Sequence, residues 1–276
     1  MVLPAVKRGE GRGCPIVDNE PTMTQTMTGR VAIVTGASSG IGEAIATAFG
    51  REGARVVLGG RRVEELERVA ALITNAGGSA LAQPGDVRRE ADVLELFAAA
   101  KRTYGRLDVL VNNAGVTAHK PVDEMSLEYW NDILAANLTS AFLASREAIK
   151  IMKAQDPQGG RIISLGSVSQ KTPRADSLAY TATKHALQGL THQLTMDGRA
   201  YGVVASIIHP GSTLSGFSRR TSGRTTAGPG PTPQQYVMAA EDVARVAVLM
   251  ATLPPEVNLY EATILPNNMR SFIDRG

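Results

Sequence analysis

Cysteine is almost missing: the 276 residues hold only Cys14. One thiol closes no disulfide within the chain and builds no zinc site, so the sequence reads as that of an intracellular, cytoplasmic protein. Long apolar runs are missing too. No stretch of about 18 apolar residues exists to span a membrane. No apolar core of about 7–15 residues follows a basic start, as a secretory signal requires. Charge of one sign is not in excess, and a net charge of +3 gives no argument for a nucleic-acid partner. The histidines His119, His185, His192 and His209 are scattered without a carboxylate at ligand spacing, so no metal site is expected. No internal repeat is visible.

What is there is a globular composition, 43% hydrophobic and 20% charged. It excludes a disordered, collagen-like or coiled-coil chain. The length suits one large α/β domain or two small ones. Residues 1–28 carry Pro4, Gly9, Gly11, Gly13, Pro15 and Pro21 and no sustained apolar period. They are expected to form a flexible leader, the alternative being an arm that docks on a neighbouring subunit. Met23 and Met27 leave room for a later start of translation.

From residue 30 short apolar runs alternate with helical spacing. Strands are expected at 31–35, 55–58, from 80, at 107–111, 161–165, 203–208 and 261–265. Helices are expected at 41–52, 62–75, 91–102, 127–153, 180–200 and 241–252, and a Gly/Pro/Ser/Arg-rich loop at 212–235. Strands apolar throughout and separated by helices imply a parallel sheet covered on both faces. The expected fold is a single doubly wound, Rossmann-like α/β domain over 29–276, with a parallel sheet of seven or so strands.

Three stretches carry chemistry. The turn Thr35-Gly36-Ala37-Ser38-Ser39-Gly40-Ile41-Gly42 joins the first strand to the first helix. Glycines let the backbone approach a ligand, and the helix N-terminus offers free N–H groups to a pyrophosphate. Gly36, Ser38, Ser39, Gly40, Ile41 and Gly42 are thus candidate dinucleotide-binding residues. At the end of the second strand an acidic residue would mark NAD. Here stand Arg61 and Arg62, and a guanidinium suits a 2′-phosphate, so NADP(H) is expected and NAD disfavoured. The bland reading is that both arginines start a solvated helix. Tyr180 and Lys184 stand four residues apart at the start of a helix and share one face. A nearby ammonium is expected to lower the phenol pKa, giving a group that exchanges a proton with an alcohol or ketone.

The turn 35–42, Asn112-Asn113-Ala114-Gly115 after the fourth strand, Tyr180-Thr181-Ala182-Thr183-Lys184, and Pro210-Gly211 after the sixth strand follow in a fixed order. Together they resemble the short-chain dehydrogenase/reductase family over residues 29–265. The resemblance implies hydride transfer between a nicotinamide cofactor and a carbonyl or alcohol carbon. It places the substrate-binding serine at Ser167, 13 residues before Tyr180; Ser164 and Ser169 are near, and composition does not choose among the three. It places the family's asparagine at Asn137, whose amide would reach Lys184 through a water. Independently, Asn137 falls in the stripe Trp130, Ile133, Leu134, Leu138 and Ala141, where a buried amide needs a partner; a hydrogen-bonded core asparagine would look the same.

By the same resemblance Asp86 and Val87 contact adenine, and Asn113, Ala114 and Gly115 line the cofactor channel. Pro210, Gly211 and Thr213 flank the nicotinamide, while Asn112 ties strands together. Lys184 would also grip the nicotinamide ribose, and relatives pair their long helices into homodimers or homotetramers.

Gly60-Arg61-Arg62 and the segment 253–258, with Leu265-Pro266, are similar to the branch of NADP-dependent 3-hydroxy acid and serine dehydrogenases. Arg219, Arg220 and Arg224 in the 212–235 loop would attract a carboxylate, or are simply solvated; the loop is expected to close over substrate. Trp130 reads as core. Two functions remain: a reductase or dehydrogenase of small carbonyls and secondary alcohols, and a non-catalytic sensor or scaffold on the same fold.

Overall fold

The computed structural model describes residues 26–214, 237–267 and 269. Strands β1 (Val31–Thr35), β2 (Arg55–Gly60), β3 (Ser79–Pro84), β4 (Val109–Asn112), β5 (Gly160–Leu165), β6 (Val203–Pro210) and β7 (Glu261–Ile264) form one sheet. Its order is β3-β2-β1-β4-β5-β6-β7, and every pairing is parallel. Helices α1 (Gly40–Arg51), α2 (Val63–Asn75), α3 (Glu90–Tyr104), α4 (Leu127–Leu134), α5 (Ser140–Ala154), α6 (Leu178–Gly198) and α7 (Ala240–Thr252) connect and cover it.

The unbroken apolar strands arise because both faces are buried. Ala32 and Val34 point into a layer with Ile45 and Phe49 of α1, Leu66 of α2 and Met250 of α7. Ile33, between them, packs with Phe97 of α3, Ala148 and Met152 of α5 and Leu194 of α6. Successive side chains on a strand face opposite ways, so a strand in a two-sided core has no polar position to spare. The strand order reverses between β1 and β4, and such a reversal opens a crevice at the carboxyl ends of the strands.

Two differences from the sequence reading have local causes. The expected helix 127–153 is interrupted by a π-helical turn, Ala135–Thr139, between α4 and α5. The apolar stripe runs through it unchanged, so spacing alone does not reveal it. The expected leader ends too late: Met27 is fully buried in the core, and the Thr26 N–H and hydroxyl both donate to the Glu52 carboxylate. Residues 1–25, and Arg219, Arg220 and Arg224 with most of the 212–235 loop, lie outside the described residues.

The segment after α7 has a structural task. The buried Arg161 guanidinium donates to the carbonyls of Leu253, Pro254 and Val257, at 2.7, 2.6 and 3.1 Å. Asn258 accepts from the Ser206 hydroxyl at 2.8 Å and donates to the Ala205 carbonyl at 3.0 Å. Residues 253–258 thus deliver the chain to β7 and touch no part of the crevice.

Candidate active site

A cleft of about 680 Å³ opens at the carboxyl ends of the strands, running from the first turn to the start of α6. At one end lies the glycine turn. Gly36 takes φ +66°, and a Cβ there would stand 2.9 Å from Ala114 Cα and from Asn113 Nδ2. A Cβ on Gly42 would lie 2.3 Å from the Gly36 carbonyl oxygen. Gly42 is therefore a packing glycine: unlike Gly36, Ser38, Ser39, Gly40 and Ile41, it does not line the cleft. Thr35, a role spacing does not reveal, orders the neighbouring strand end, its hydroxyl accepting from the N–H groups of Asn113 and Ala114 at 3.1 Å each. The Asn113 amide donates in turn to the Thr35 and Gly36 carbonyls. No side chain caps α1 at Ser39. Its first N–H groups carry the positive end of the helix dipole to the cleft wall. A glycine cradle without room for a Cβ and an uncapped helix start together fit a pyrophosphate.

The end of β2 gives its two arginines different work. Arg62 also lines the cleft, and its Nη2 donates to the Ser38 carbonyl at 3.1 Å and to the Ser38 and Ser39 hydroxyls at 3.0 and 2.8 Å, bracing the turn. Arg61 lines the cleft and makes no hydrogen bond or ion pair among the described residues. Asp86 and Val87 line the same end. The Asp86 carboxylate is already engaged by Arg88, at 2.6–3.1 Å, and this pairing holds it below the usual carboxylate range. Arg88 escapes a sequence reading because it looks like one more charge before a helix.

At the other end stand Ser167, just past β5, and Tyr180 and Lys184 on α6. All three line the cleft, as do Asn113, Ala114, Gly115, Pro210, Gly211 and Thr213. Lys184 is buried, with Nζ donating to the Leu165 carbonyl at 2.6 Å and lying 5.6 Å from the centre of the Tyr180 ring. Burial without a counter-charge brings its pKa down from 10.5 to about 8. The phenol moves opposite to expectation. Burial raises Tyr180, outweighing the Ser167 hydroxyl beside it and the Arg174 charge, both of which favour the phenolate. Lys184 contributes no comparable pull. Val116, Ile133 and Tyr129 form an apolar wall next to Tyr180.

Asn137 does not line the cleft. It sits in the π turn, buried, with Oδ1 accepting from Val116 N at 2.7 Å and Nδ2 donating to the Val116 carbonyl at 3.0 Å and the Thr183 hydroxyl at 3.2 Å. Its direct partners are the loop after β4 and the neighbour of Lys184, rather than Lys184. Asn112 pairs with Ser164 in the β4–β5 ladder, and its side chain donates to the Ser145 hydroxyl on α5 at 2.9 Å, tying that strand end to the helix as well. Among the described residues no group of three metal-ligating side chains occurs.

A doubly wound sheet with a phosphate cradle at one end of its crevice and a Ser, Tyr and Lys constellation at the other defines a dinucleotide-dependent oxidoreductase site. The family model for short chain dehydrogenase matches residues 30–224, and the chain belongs to that family. It is therefore an oxidoreductase of the short-chain type, acting on the alcohol and carbonyl couple. A 3beta-hydroxysteroid dehydrogenase of Mediterraneibacter gnavus is 39% identical over 194 residues, 70% of this chain and 69% of the relative. An uncharacterized oxidoreductase of Staphylococcus aureus is 32% identical over 240 residues, 87% of this chain and 98% of its own. Among solved structures, a metagenomic short-chain oxidoreductase in complex with NADP is 34% identical. It has a TM-score of 0.73 and covers 87% of this chain and 99% of its own. An alcohol dehydrogenase from Thermococcus sibiricus, complexed with 5-hydroxy-NADP, is 26% identical with a TM-score of 0.76 and covers 86% of this chain and 97% of its own. The last two point to a nicotinamide cofactor.

Proposed function

We propose that the protein is an NADP(H)-dependent oxidoreductase of a small carbonyl or secondary-alcohol substrate, a ketone, keto acid or 3-hydroxy acid. The observation that carries the cofactor choice is Arg61, a guanidinium that makes no hydrogen bond or ion pair among the described residues and lines the cleft end where the adenosine ribose would lie. A 2′-phosphate gives it the forked partner it lacks, while the ribose hydroxyls of NAD give it none. Gly36 and the start of α1 would seat the pyrophosphate, and Pro210, Gly211 and Thr213 the nicotinamide end. Lys184 would grip the nicotinamide ribose. Asn137 supports the site from behind, through Val116 and Thr183.

When bound, the nicotinamide supplies or accepts the hydride. Tyr180 gives its proton to the substrate oxygen during reduction and takes it back during oxidation. Burial pushes the phenol pKa up, so in reduction Tyr180 meets the substrate oxygen as a protonated donor. Ser167 donates a second hydrogen bond to the same oxygen as charge develops there. The protein works in the cytoplasm as a homodimer or homotetramer. Among the described residues no helix is long and apolar enough to cross a membrane.

NADPH oxidation with a panel of small ketones, keto acids and a ketosteroid tests the reading, the last because of the relative from Mediterraneibacter gnavus. Turnover with at least one carbonyl is expected. Tyr180→Phe should then lower kcat by about 10²–10⁴-fold while dinucleotide binding persists. Dinucleotide binding without turnover on any carbonyl, or a fully active Tyr180→Phe, would defeat it. In parallel, Arg61→Ala should weaken NADPH by about tenfold or more, a loss of about 1.5–3 kcal/mol for a charged hydrogen bond, and leave NADH nearly unchanged. An equal loss for both nucleotides would remove the phosphate argument.

A further inference from the structure

His209 is a buried ionisable group that the mechanism above does not use. It is the penultimate residue of β6, fully buried, and does not line the cleft. Its Nδ1 accepts the Ser167 N–H at 3.3 Å. The ring occupies the space that a side chain at Gly166 would need: a Cβ there would lie 2.3 Å from Nδ1. A nitrogen that accepts an N–H carries no proton, so the proton is on Nε2. Nε2 makes no hydrogen bond among the described residues, and its nearest charged neighbour is Glu261 of β7, with Oε1 3.6 Å away. Burial lowers the imidazole pKa, outweighing the opposite pull of that carboxylate and of the Ser167 backbone, while the Lys171 and Lys184 charges act in the same direction as burial.

Glu261 is itself a hub. Oε1 accepts from Lys171 Nζ at 2.9 Å, and Oε2 accepts from Gln188 Nε2 at 2.9 Å. Gln188 Oε1 accepts in turn from Gln170 Nε2. One carboxylate on the last strand thus faces the imidazole and ties down both the loop that follows Ser167 and the helix that carries Tyr180 and Lys184. Ser167 is extended, at φ −168° and ψ 150°, and its hydroxyl accepts the Ser169 N–H at 3.1 Å. Fixing its N–H fixes the backbone from which the hydroxyl projects.

We infer that His209 is a positioning residue: as the Nε2-protonated tautomer facing Glu261, it accepts the Ser167 N–H and so aims the Ser167 hydroxyl at the substrate oxygen. The inference rests on the function proposed above. A misplacement of about 1 Å at a reacting group costs up to about 10²-fold in rate, so a supporting bond two atoms from the hydroxyl is worth a measurable part of kcat.

Two measurements on the full chain decide it. In the first, His209→Leu, which has no acceptor, should lower kcat by about 10–100-fold while NADPH affinity from fluorescence titration stays within about threefold. His209→Asn, whose Oδ1 can replace Nδ1 as acceptor, should recover kcat to within about threefold of wild type. Wild-type kcat in His209→Leu, or an equal loss in both variants, overturns the inference. In the second, wild-type protein labelled with 15N in its histidine rings reports the tautomer directly, even where the leucine variant does not fold. Replacing the exposed His119, His185 and His192 one at a time assigns the remaining signal. The expected state is an unprotonated Nδ1 and a protonated Nε2, and a protonated Nδ1 overturns the inference. Absence of turnover in the wild type defeats the proposed function instead, and the ring spectra still report on His209.

Discussion

At Lys184 a charge sits largely buried at the floor of the cleft, with a consequence for stability. An ordinary lysine titrates at 10.5 and this one at about 8, the cause being burial. Between those two values the unfolded chain binds more protons than the folded one, so unfolding free energy must rise with pH across that window. The slope is at most about 1.4 kcal/mol per pH unit. Above pH 10 Tyr180 acts with the opposite sign, because its folded pKa is raised and the folded state then keeps the extra proton. The test is urea unfolding at pH 7, 8, 9 and 10 for wild type and Lys184→Met. The wild type should gain on the variant from pH 8 to 10 and not from 7 to 8. Parallel curves over the whole range would mean that the lysine is not depressed. The same burial explains why the pair Tyr180 and Lys184 was legible in the sequence while the direction of the phenol shift was not. Spacing on a helix is a local property, whereas desolvation depends on Leu165, Ser167 and the walls that other elements bring. Arg62 shows the same limit. Its identity marks it as a phosphate ligand, but only the fold reveals that it also braces the turn over Ser38 and Ser39, while Arg61 beside it makes no hydrogen bond or ion pair among the described residues.

Between β1 and α1 the glycine turn ties local conformation to the site. Gly42 packs its bare Cα on the Gly36 carbonyl and on Asn113, so Gly42→Ala would drive a Cβ into backbone 2.3 Å away. Neither α1 nor β4 can retreat, since both belong to the core, and the turn itself must open. The expected cost is about 1–3 kcal/mol of stability, as for other forced insertions into packed structure, with loss of dinucleotide affinity because the N–H groups of the cradle are displaced. Thermal unfolding with and without NADPH checks both at once. A variant that melts like wild type and is stabilised equally by NADPH would show that the turn has slack. This element could be read from sequence because its glycines, its strand and its helix start are neighbours in the chain. The π turn at 135–139 could not, because an apolar stripe looks the same with or without one extra residue. His209 and Glu261 could not either. They meet only through the pairing of β6 with β7, which sets Ile207 beside Glu261 and His209 beside Thr263, and no pattern within either strand announces it.

The whole molecule leaves apolar surface on the side of the sheet covered by α4, α5 and α6. Leu127, Phe142, Leu178 and Met196 are exposed by 74%, 46%, 47% and 58% there. Single exposed apolar residues are ordinary, but four on adjoining helices are what a second copy would cover. A stable interface between copies buries about 1,200–2,000 Å² in total. Each chain holds the glycine turn, Ser167, Tyr180 and Lys184 by itself, so assembly and chemistry should separate. Sedimentation velocity at micromolar concentration should give a dimer or tetramer for the wild type. Phe142→Glu, which puts a carboxylate into that face, should shift the distribution to monomer while the purified monomer still binds NADPH. A monomeric wild type removes the proposed interface. A Phe142→Glu protein that stays assembled moves the contact elsewhere, and the exposed Leu249 of α7 and Leu72 of α2, at 50% and 46%, mark where to look on the opposite layer.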